Sequence, residues 1–354
     1  MADSPTMRDL ARALDLNVST VSRALRNDIR VSQETREKCQ RAAREMGYEA
    51  DANYARAFAQ LRVKRVHKEP TVLGLLTSYP SEAYWQRNPY YVRFISHIRA
   101  RAAQLGYRIE PFSIKSPGIS SRQLTTILCA RGIPGLIVGP DLRGHLSMNL
   151  SHFATAMCCH GVWRPKLHRV EPYTYLNTLL AIRKLRRLGY RRIGFASFAS
   201  NDHDVSHQSE AAYYYASATG IITEPIAIHL NTSGNPEFIA WVKECRPDAV
   251  LATHVDATLE GLATLGLRPG ADIGVASVAG VMPGVSDYAG INNHSDKIDV
   301  AVVELVVDQI NRNERGVPEH PRIVFVEGSW VDGPTVRVIR SREAGGISKV
   351  VHQR

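Results

Sequence analysis

The apolar positions at the start of the chain fall into three short helical stripes. Met7, Leu10, Ala11 and Leu14 stand at i, i+3, i+4 and i+7, with Thr6 where an N-cap belongs. The stripe breaks at Asp15-Leu16. Asn17 then offers a fresh N-cap to a second run, whose buried face is Val21, Ala24 and Leu25. Two short helices joined by a tight turn make a helix-turn-helix. A third helix starts at Ser32 and carries Glu34 in its first turn, where the helix dipole favours a negative charge. Its stripe is Cys39, Ala42, Ala43 and Met46, and Gly47 stops it. The three stripes can bury one another. The exposed start of the second helix carries Val18, Ser19, Ser22 and Arg23, a small polar surface suited to a DNA major groove.

After residue 70 the pattern changes to short apolar runs separated by amphipathic stretches. Strands are predicted over 72–76, 108–112, 135–138 and 153–159, with helices over 91–105 and 120–130. The theme then returns. Helices are predicted over 177–188, 210–219, 236–243 and 297–312, with strands over 193–196, 226–228, 248–251, 274–278 and 323–326. Alternation of this kind implies parallel sheets wound in βαβ units, and two similar series imply two lobes. Leu105-Gly106-Tyr107 and Leu188-Gly189-Tyr190 occupy equivalent helix-to-strand junctions. In such sheets ligands bind at the carboxyl ends of the strands, here in the cleft between lobes.

The residues Thr6, Asp9, Leu10, Ala11, Thr20-Val21-Ser22-Arg23-Ala24-Leu25, Val31-Ser32, Thr35-Arg36, Ala42-Ala43 and Gly47-Tyr48 give 6–48 a resemblance to the DNA-binding headpiece of the lactose-repressor (LacI/GalR) family. Asp15 stands in the turn where that family usually has Gly, and Asp tolerates a left-handed conformation better than most residues. The resemblance extends more weakly into the core through Asn88-Pro89-Tyr90-Tyr91, Leu188 to Gly194 and Gly328-Ser329-Trp330-Val331 to Thr335. It implies an α/β chain with a three-helix helix-turn-helix headpiece over 1–49 and a hinge linker over 50–70. A two-lobed periplasmic-binding-protein-like core with parallel sheets, which binds effector and dimerises, follows over 71–340, with a tail over 341–354. Lobe crossings are expected near 166–171, 293–297 and 325–328.

Composition bounds the function. Apolar content of 44% is ordinary for a chain that buries real cores. The net charge is +10, and residues 1–68 carry 14 Lys and Arg against nine Asp and Glu, so half of the excess lies in the first fifth of the chain. A phosphate-facing module needs such a bias. Cysteines 39, 129, 158, 159 and 245 form no disulfide framework or zinc spacing, which fits a reducing cytoplasm. No signal peptide or membrane-length apolar run is present, so no membrane partner is expected.

In the headpiece, Arg23 can donate twice to guanine, Val18 can meet a thymine methyl and Ser19 can read either base type. Thr6, Asn17, Thr20 and Ser22 offer groups for phosphates, although Thr20 can instead cap or pack. The resemblance implies that the linker becomes a helix on DNA and that a hinge leucine wedges into the minor groove. Ala57 holds that leucine's position, with Phe58 beside it, and Ala50 replaces the usual Pro. Either Phe58 becomes the wedge or the linker is a tether.

For the effector, the expected contacts are Trp85, Asn88, Tyr91, His207 and Asp256. An aromatic such as Trp85 at a cleft lip can stack on a sugar face or a ring, or it can pack under its own loop. Three cleft positions depart from the family: Ser209 where Arg is usual, Val255-Asp256 for an Asn-Asp pair, and Ala279-Gly280 where an acid is usual. The effector is then a sugar or, more in keeping with those departures, an aromatic metabolite; equally, no small ligand binds. His203 and His207 have a metal-like spacing in what reads as a loop, and Cys158 and Cys159, adjacent on a strand, should point to opposite faces. No metal, cofactor or catalytic constellation is therefore expected. The expected function is a cytoplasmic, homodimeric regulator of double-stranded operator DNA, a repressor controlled by a small molecule. An activator, and a ligand-binding or enzymatic α/β protein with a vestigial headpiece, are the rival readings.

Overall fold

The computed structural model describes residues 5–25, 31–48, 70–159, 161–198, 207–231 and 235–339. Its N-terminal helices are α1 (Met7–Leu14), α2 (Val18–Leu25) and α3 (Gln33–Glu45). Thr6 and Asp9 form a reciprocal capping box on α1, and Ser32 caps α3 by accepting from the Thr35 amide. Asp15 closes α1 with φ +53 and donates its backbone N–H back to the helix, so the turn forms without Gly. Leu10, Val21, Ala24 and Cys39 are fully buried and make a small core with Ala11, Val31 and Ala43. At roughly 1.5–3 kcal/mol for each large apolar side chain, so few residues leave little margin.

The chain as a whole divides into two compact units. The first takes in Met1–Glu171 and Ser295–Phe325, the second Pro172–His294 and Val326–Arg354. The chain therefore passes between them after Glu171, after His294 and after Phe325. The first unit holds β1 (Thr71–Thr77), α4 (Glu82–Trp85), α5 (Pro89–Gln104), β2 (Tyr107–Ser113), α6 (Ser121–Ala130) and β3 (Gly135–Val138). It continues through β4 (Gly144–His145), β5 (Ala154–Cys158), β6 (Val162–Arg164) and β7 (His168–Pro172). The second unit supplies α7 (Thr174–Arg187), β8 (Ile193–Phe198), α8 (Gln208–Ala218), β9 (His229–Asn231), α9 (Asn235–Cys245) and β10 (Ala249–Ala252). After α10 (Val255–Thr264), β11 (Gly274–Ser277) and β12 (Ala289–Asn292), helix α11 (Ser295–Arg312) and β13 (Ile323–Val326) return to the first sheet. β14 (Ser329–Val331) completes the second.

Each unit is built on six strands, in the orders β13-β7-β5-β3-β1-β2 and β14-β12-β11-β10-β8-β9. β1 runs parallel to β2 and β3, β3 to β5, and β5 to β7. In the second sheet only β12 and β14 pair antiparallel. Strands β3, β5, β10 and β11 are buried along their whole length, as parallel strands covered on both faces should be. On the first sheet α11 sits close over β3. A Cβ at Gly135 would stand 2.6 Å from Val306 Cγ1 and 2.9 Å from Ile310 Cδ1, so Gly is required at that contact.

The α/β class and the parallel sheets match the pattern of apolar runs. Three local expectations do not hold. The strand predicted over 226–228 is displaced to β9, because the Ile226 and Ala227 carbonyls accept from the Tyr213 hydroxyl and the Trp241 indole, at 2.9 and 2.8 Å. The loop before Asn88 contains α4. Cys158 and Cys159 do not face opposite ways: Cys159 has φ +63, the strand ends there, and the two Sγ atoms lie 3.9 Å apart.

Candidate functional site

The start of α2 is one exposed surface of the headpiece. Val18 is 41% exposed, and Ser19, Asn17 and Arg23 are exposed as well, whereas Val21 and Ala24 on the opposite face are fully buried. For 19 and 23 that division follows from helical spacing, since they lie away from the 21, 24, 25 stripe; Val18 stands at i, i+3 and i+7 to Val21 and Leu25 and is exposed as the first residue of the helix. Thr20 and Ser22 are half-buried beside it. Thr6 has a different duty. Its hydroxyl donates to Asp9 Oδ2 at 2.6 Å, and its amide donates to the same oxygen at 2.9 Å. These bonds hold the Asp9 carboxyl below the usual range. Ala57 and Phe58 lie outside the described residues, as do Ala50 and His203.

In the first unit a cavity of about 260 Å³ opens at the carboxyl ends of β1 and β2. Thr77, Tyr79, Trp85, Phe112 and Ile119 give it a wall that is mainly apolar and aromatic. Trp85 is only 5% exposed. It packs against Tyr91, with ring centroids 6.1 Å apart, and the Arg99 guanidinium lies 5.9 Å from its centroid. Trp85 is thus a buried packing residue that also forms cavity wall, rather than a lip. Asn88 is spent on local structure. Its Oδ1 caps α5 by accepting from the Tyr90 and Tyr91 amides, and its Nδ2 donates to the Tyr79 hydroxyl at 3.3 Å. Tyr91 is 1% exposed and meets Tyr79 edge-on at 4.9 Å.

Beside that cavity, at the ends of β1 and β3, lies Asp141. Its Oδ2 accepts from the Thr77 hydroxyl at 2.8 Å and from the Ser78 amide. Its Oδ1 and the Tyr91 hydroxyl are both buried without a hydrogen-bond partner. A Cβ placed on Gly139 would stand 2.6 Å from the first and 3.0 Å from the second, so the two atoms converge on one small volume. Burial first, and then the Asp141 charge, push the Tyr91 phenol well above its ordinary range. Buried polar atoms left without partners cost free energy, and neither Asp141 nor Tyr91 forms part of the cavity wall.

His207 and Asp256 belong to the second unit. His207, with φ +46, is the exposed residue that precedes α8, and Asp256 is exposed in the first turn of α10. Ser209, where the resemblance led one to look for Arg, is 7% exposed and accepts from the Thr178 hydroxyl at 3.1 Å.

Residues 6–51 match the family of bacterial regulatory proteins named lacI. In that segment, 46 of the chain's 354 residues, the protein resembles the lacI-family regulators. Among curated proteins it is similar to the HTH-type transcriptional regulator MalR of Streptococcus pneumoniae, 26% identical over 132 residues, 37% of this chain and 38% of that one. It is also similar to the HTH-type transcriptional repressor CytR of Escherichia coli, 26% identical over 194 residues, 53% of this chain and 52% of that one. The matches thus span about half or less of those relatives' lengths. Among solved structures, the lac repressor dimer bound to operator and the anti-inducer ONPF has the same fold, with a TM-score of 0.55, 19% identity and coverage of 95% of this chain and 100% of that one. The transcriptional regulator CelR in complex with cellobiose gives 0.53, 17%, 94% and 99%.

Sequence alone pointed to neither Asp141 nor Phe112. A usable signal existed for one of them. Gly139-Pro140-Asp141 directly follows a fully apolar run at 135–138, and an acid just past the carboxyl end of a parallel strand is a ligand-site position. Phe112 carries no such mark, since an aromatic on a strand is more often core.

Proposed function

We propose that the protein is a sequence-specific DNA-binding transcriptional regulator, a repressor, which binds its operator as a homodimer and is controlled by a small molecule taken up by the core. The exposed face of α2 carries this reading. It sets Val18, Ser19 and Arg23 outward on a helix whose other face is fully buried, inside the segment that matches the lacI family. Arg23 reads a guanine, Val18 a thymine methyl, and Asn17, Thr20 and Ser22 fix the register on phosphates. Support comes from CytR, a transcriptional repressor by name, and from the lac repressor dimer on operator. A twofold protein requires a twofold operator, so two headpieces address a pseudo-palindromic site. Among the described residues no helix is long and apolar enough to cross a membrane, which suits a protein that works on DNA in the cytoplasm.

The effector reading rests on the first unit. A cavity of about 260 Å³ lies at the small end of ligand pockets, and its Trp85, Tyr79 and Phe112 walls fit a flat, largely apolar molecule better than a free sugar. His207 and Asp256 are the candidate contacts of the second unit. Binding shifts the population of two core arrangements and, through it, operator affinity.

Selection of bound fragments from genomic DNA by the full-length protein tests the function. The expected result is enrichment of one pseudo-palindromic sequence, protected in footprinting and lost with Arg23→Ala. Uniform recovery of all fragments would overturn the reading.

A further inference from the structure

Cys158 ends β5 and is fully buried, while Cys159 is half-buried. The left-handed backbone at Cys159 turns the second thiol back towards the first, at 3.9 Å. The pair has a built surround. Cys158 Sγ lies 3.8 Å from Asp299 Oδ1 on α11, and Asp299, 2% exposed, holds its other oxygen 2.8 Å from His97 Nδ1 on α5. The Tyr90 side chain is exposed as a whole, but its hydroxyl lies against Cys159 and Cys158, and the desolvation of that hydroxyl together with these neighbours pushes its phenol up. Cys159 beside it, then burial, then Asp299 hold the Cys158 thiol well above the usual range.

Two uses of such a pair can be separated by geometry. Adjacent Cα atoms are about 3.8 Å apart, whereas an ordinary disulfide spans about 4.4–6.8 Å between Cα atoms, so a bond between neighbours is strained. One ion bridging two sulfurs, with metal–sulfur bonds of about 2.3 Å, sets those sulfurs about 3.8 Å apart at a tetrahedral angle and about 4.6 Å apart when linear. The observed 3.9 Å falls in that interval. Among the described residues no group of three or more His, Cys, Asp or Glu side chains is placed to hold a metal ion. The site thus offers two sulfurs, which suits a soft cation that accepts two thiolates rather than zinc, which takes four ligands.

We propose that Cys158 and Cys159 together bind one soft, thiophilic divalent cation. Each S–H bond is replaced by a sulfur–metal bond, two protons leave to solvent, and no electrons change hands. The neutral bis-thiolate product fits a buried position beside the Asp299 carboxyl, where a net charge would be costly. Half-buried Cys159 is the point of entry.

The test uses the full chain, reduced, with Cys39, Cys129 and Cys245 replaced by Ala, and mercuric chloride as the probe. Sulfur-to-metal charge-transfer absorbance, thiol titration and proton release are followed together. The expected result is a break at one equivalent, with two thiols lost and two protons released per ion. Cys159→Ala, whose folding is checked by circular dichroism, should weaken retention against a competing monothiol about a hundredfold, the gain expected of two linked ligands. Cys158→Ala, if it folds, should do the same. A break at two equivalents would overturn the proposal, as would single-cysteine variants that retain the ion within about threefold of the pair. A Cys158–Cys159 disulfide in protein isolated from cells, seen as a two-mass-unit deficit in that peptide, would also overturn it.

Discussion

The headpiece and the first core unit treat their polar side chains in opposite ways. On α2, Ser19 and Arg23 are held out to solvent and the apolar residues are turned in. In the core unit the polar groups near the cavity are drawn inward. Thr77 is bonded to Asp141, Asn88 caps α5, and the Tyr91 hydroxyl and Asp141 Oδ1 are buried. A surface that reads a rigid polyanion needs exposed donors and little else, because the duplex supplies the order. A pocket for a small molecule must instead be preorganised, since it has few contacts over which to recover lost freedom. Substitutions should therefore separate. In the headpiece they should change DNA affinity with little change in stability, and in the core unit they should change stability first.

The largest effect is expected at Trp85. Removing a buried Trp costs about 3–5 kcal/mol. Trp85→Ala should lower the melting temperature of the core, while Trp85→Phe, which keeps a ring against Tyr91, should lower it far less. Calorimetry of both variants decides the matter. If Trp85→Ala melted like the parent, the tryptophan would be cavity lining alone and the contrast between the two regions would fail.

Arg23→Ala probes the opposite side. It should leave the melting curve unchanged and weaken the specific site by about 1–3 kcal/mol, with relaxed preference at one guanine. Equal loss on specific and random DNA in a binding titration would reduce Arg23 to a phosphate contact.

A buried acid in the core gives a pH-dependent version of the same contrast. Burial, only partly offset by His97 and Cys158, raises the Asp299 carboxyl to about 6, with Asp296 adding to the rise. A carboxyl raised on folding binds its proton more tightly in the native state, so its contribution is greatest below about pH 4 and is lost as pH rises through 6. Melting temperature should thus fall over that window in the parent and less in Asp299→Asn, with a difference on the order of 2 kcal/mol in stability at neutral pH. A parallel pair of curves would mean that Asp299 does not titrate in that window.

What could be read from the sequence divides along the same line. Helical spacing decides exposure on α2 without any tertiary information for Ser19 and Arg23, which were legible from the stripe formed by Val21, Ala24 and Leu25, whereas Val18 shares that stripe's face and is exposed by its place at the helix start. The alternation of strands and helices likewise gave the α/β class with parallel sheets. The turn at Asp15 was legible because Asp is one of the few residues that enter the left-handed region cheaply. Cys159 enters the same region without being such a residue, and nothing in the pattern marks it, so the side on which its thiol lies had to come from the fold. The displaced strand near Ile226 has the same origin. Its carbonyls are taken by Tyr213 and Trp241, which are 13 and 14 residues away in the chain. The cavity was not legible as a unit, because Thr77, Trp85 and Phe112 reach it from three separate elements.

Thr6 is the one headpiece residue that crosses the divide, and it gives the finest test. By sequence it belongs with the phosphate-facing group, yet its hydroxyl and amide are both bonded to Asp9. A cap of this kind contributes about 1 kcal/mol to the stability of its helix. If that is its whole role, Thr6→Ala should lower headpiece stability by about that amount, raise the pKa of Asp9, and reduce DNA affinity only as far as the folded fraction falls. Thr6→Ser, which keeps the capping oxygen, should restore all three. Hydrogen exchange at the α1 amides and a DNA titration on the same variants give the answer. Lost affinity with unchanged exchange would make Thr6 a phosphate contact, and the headpiece would then follow its rule of outward-facing donors without exception.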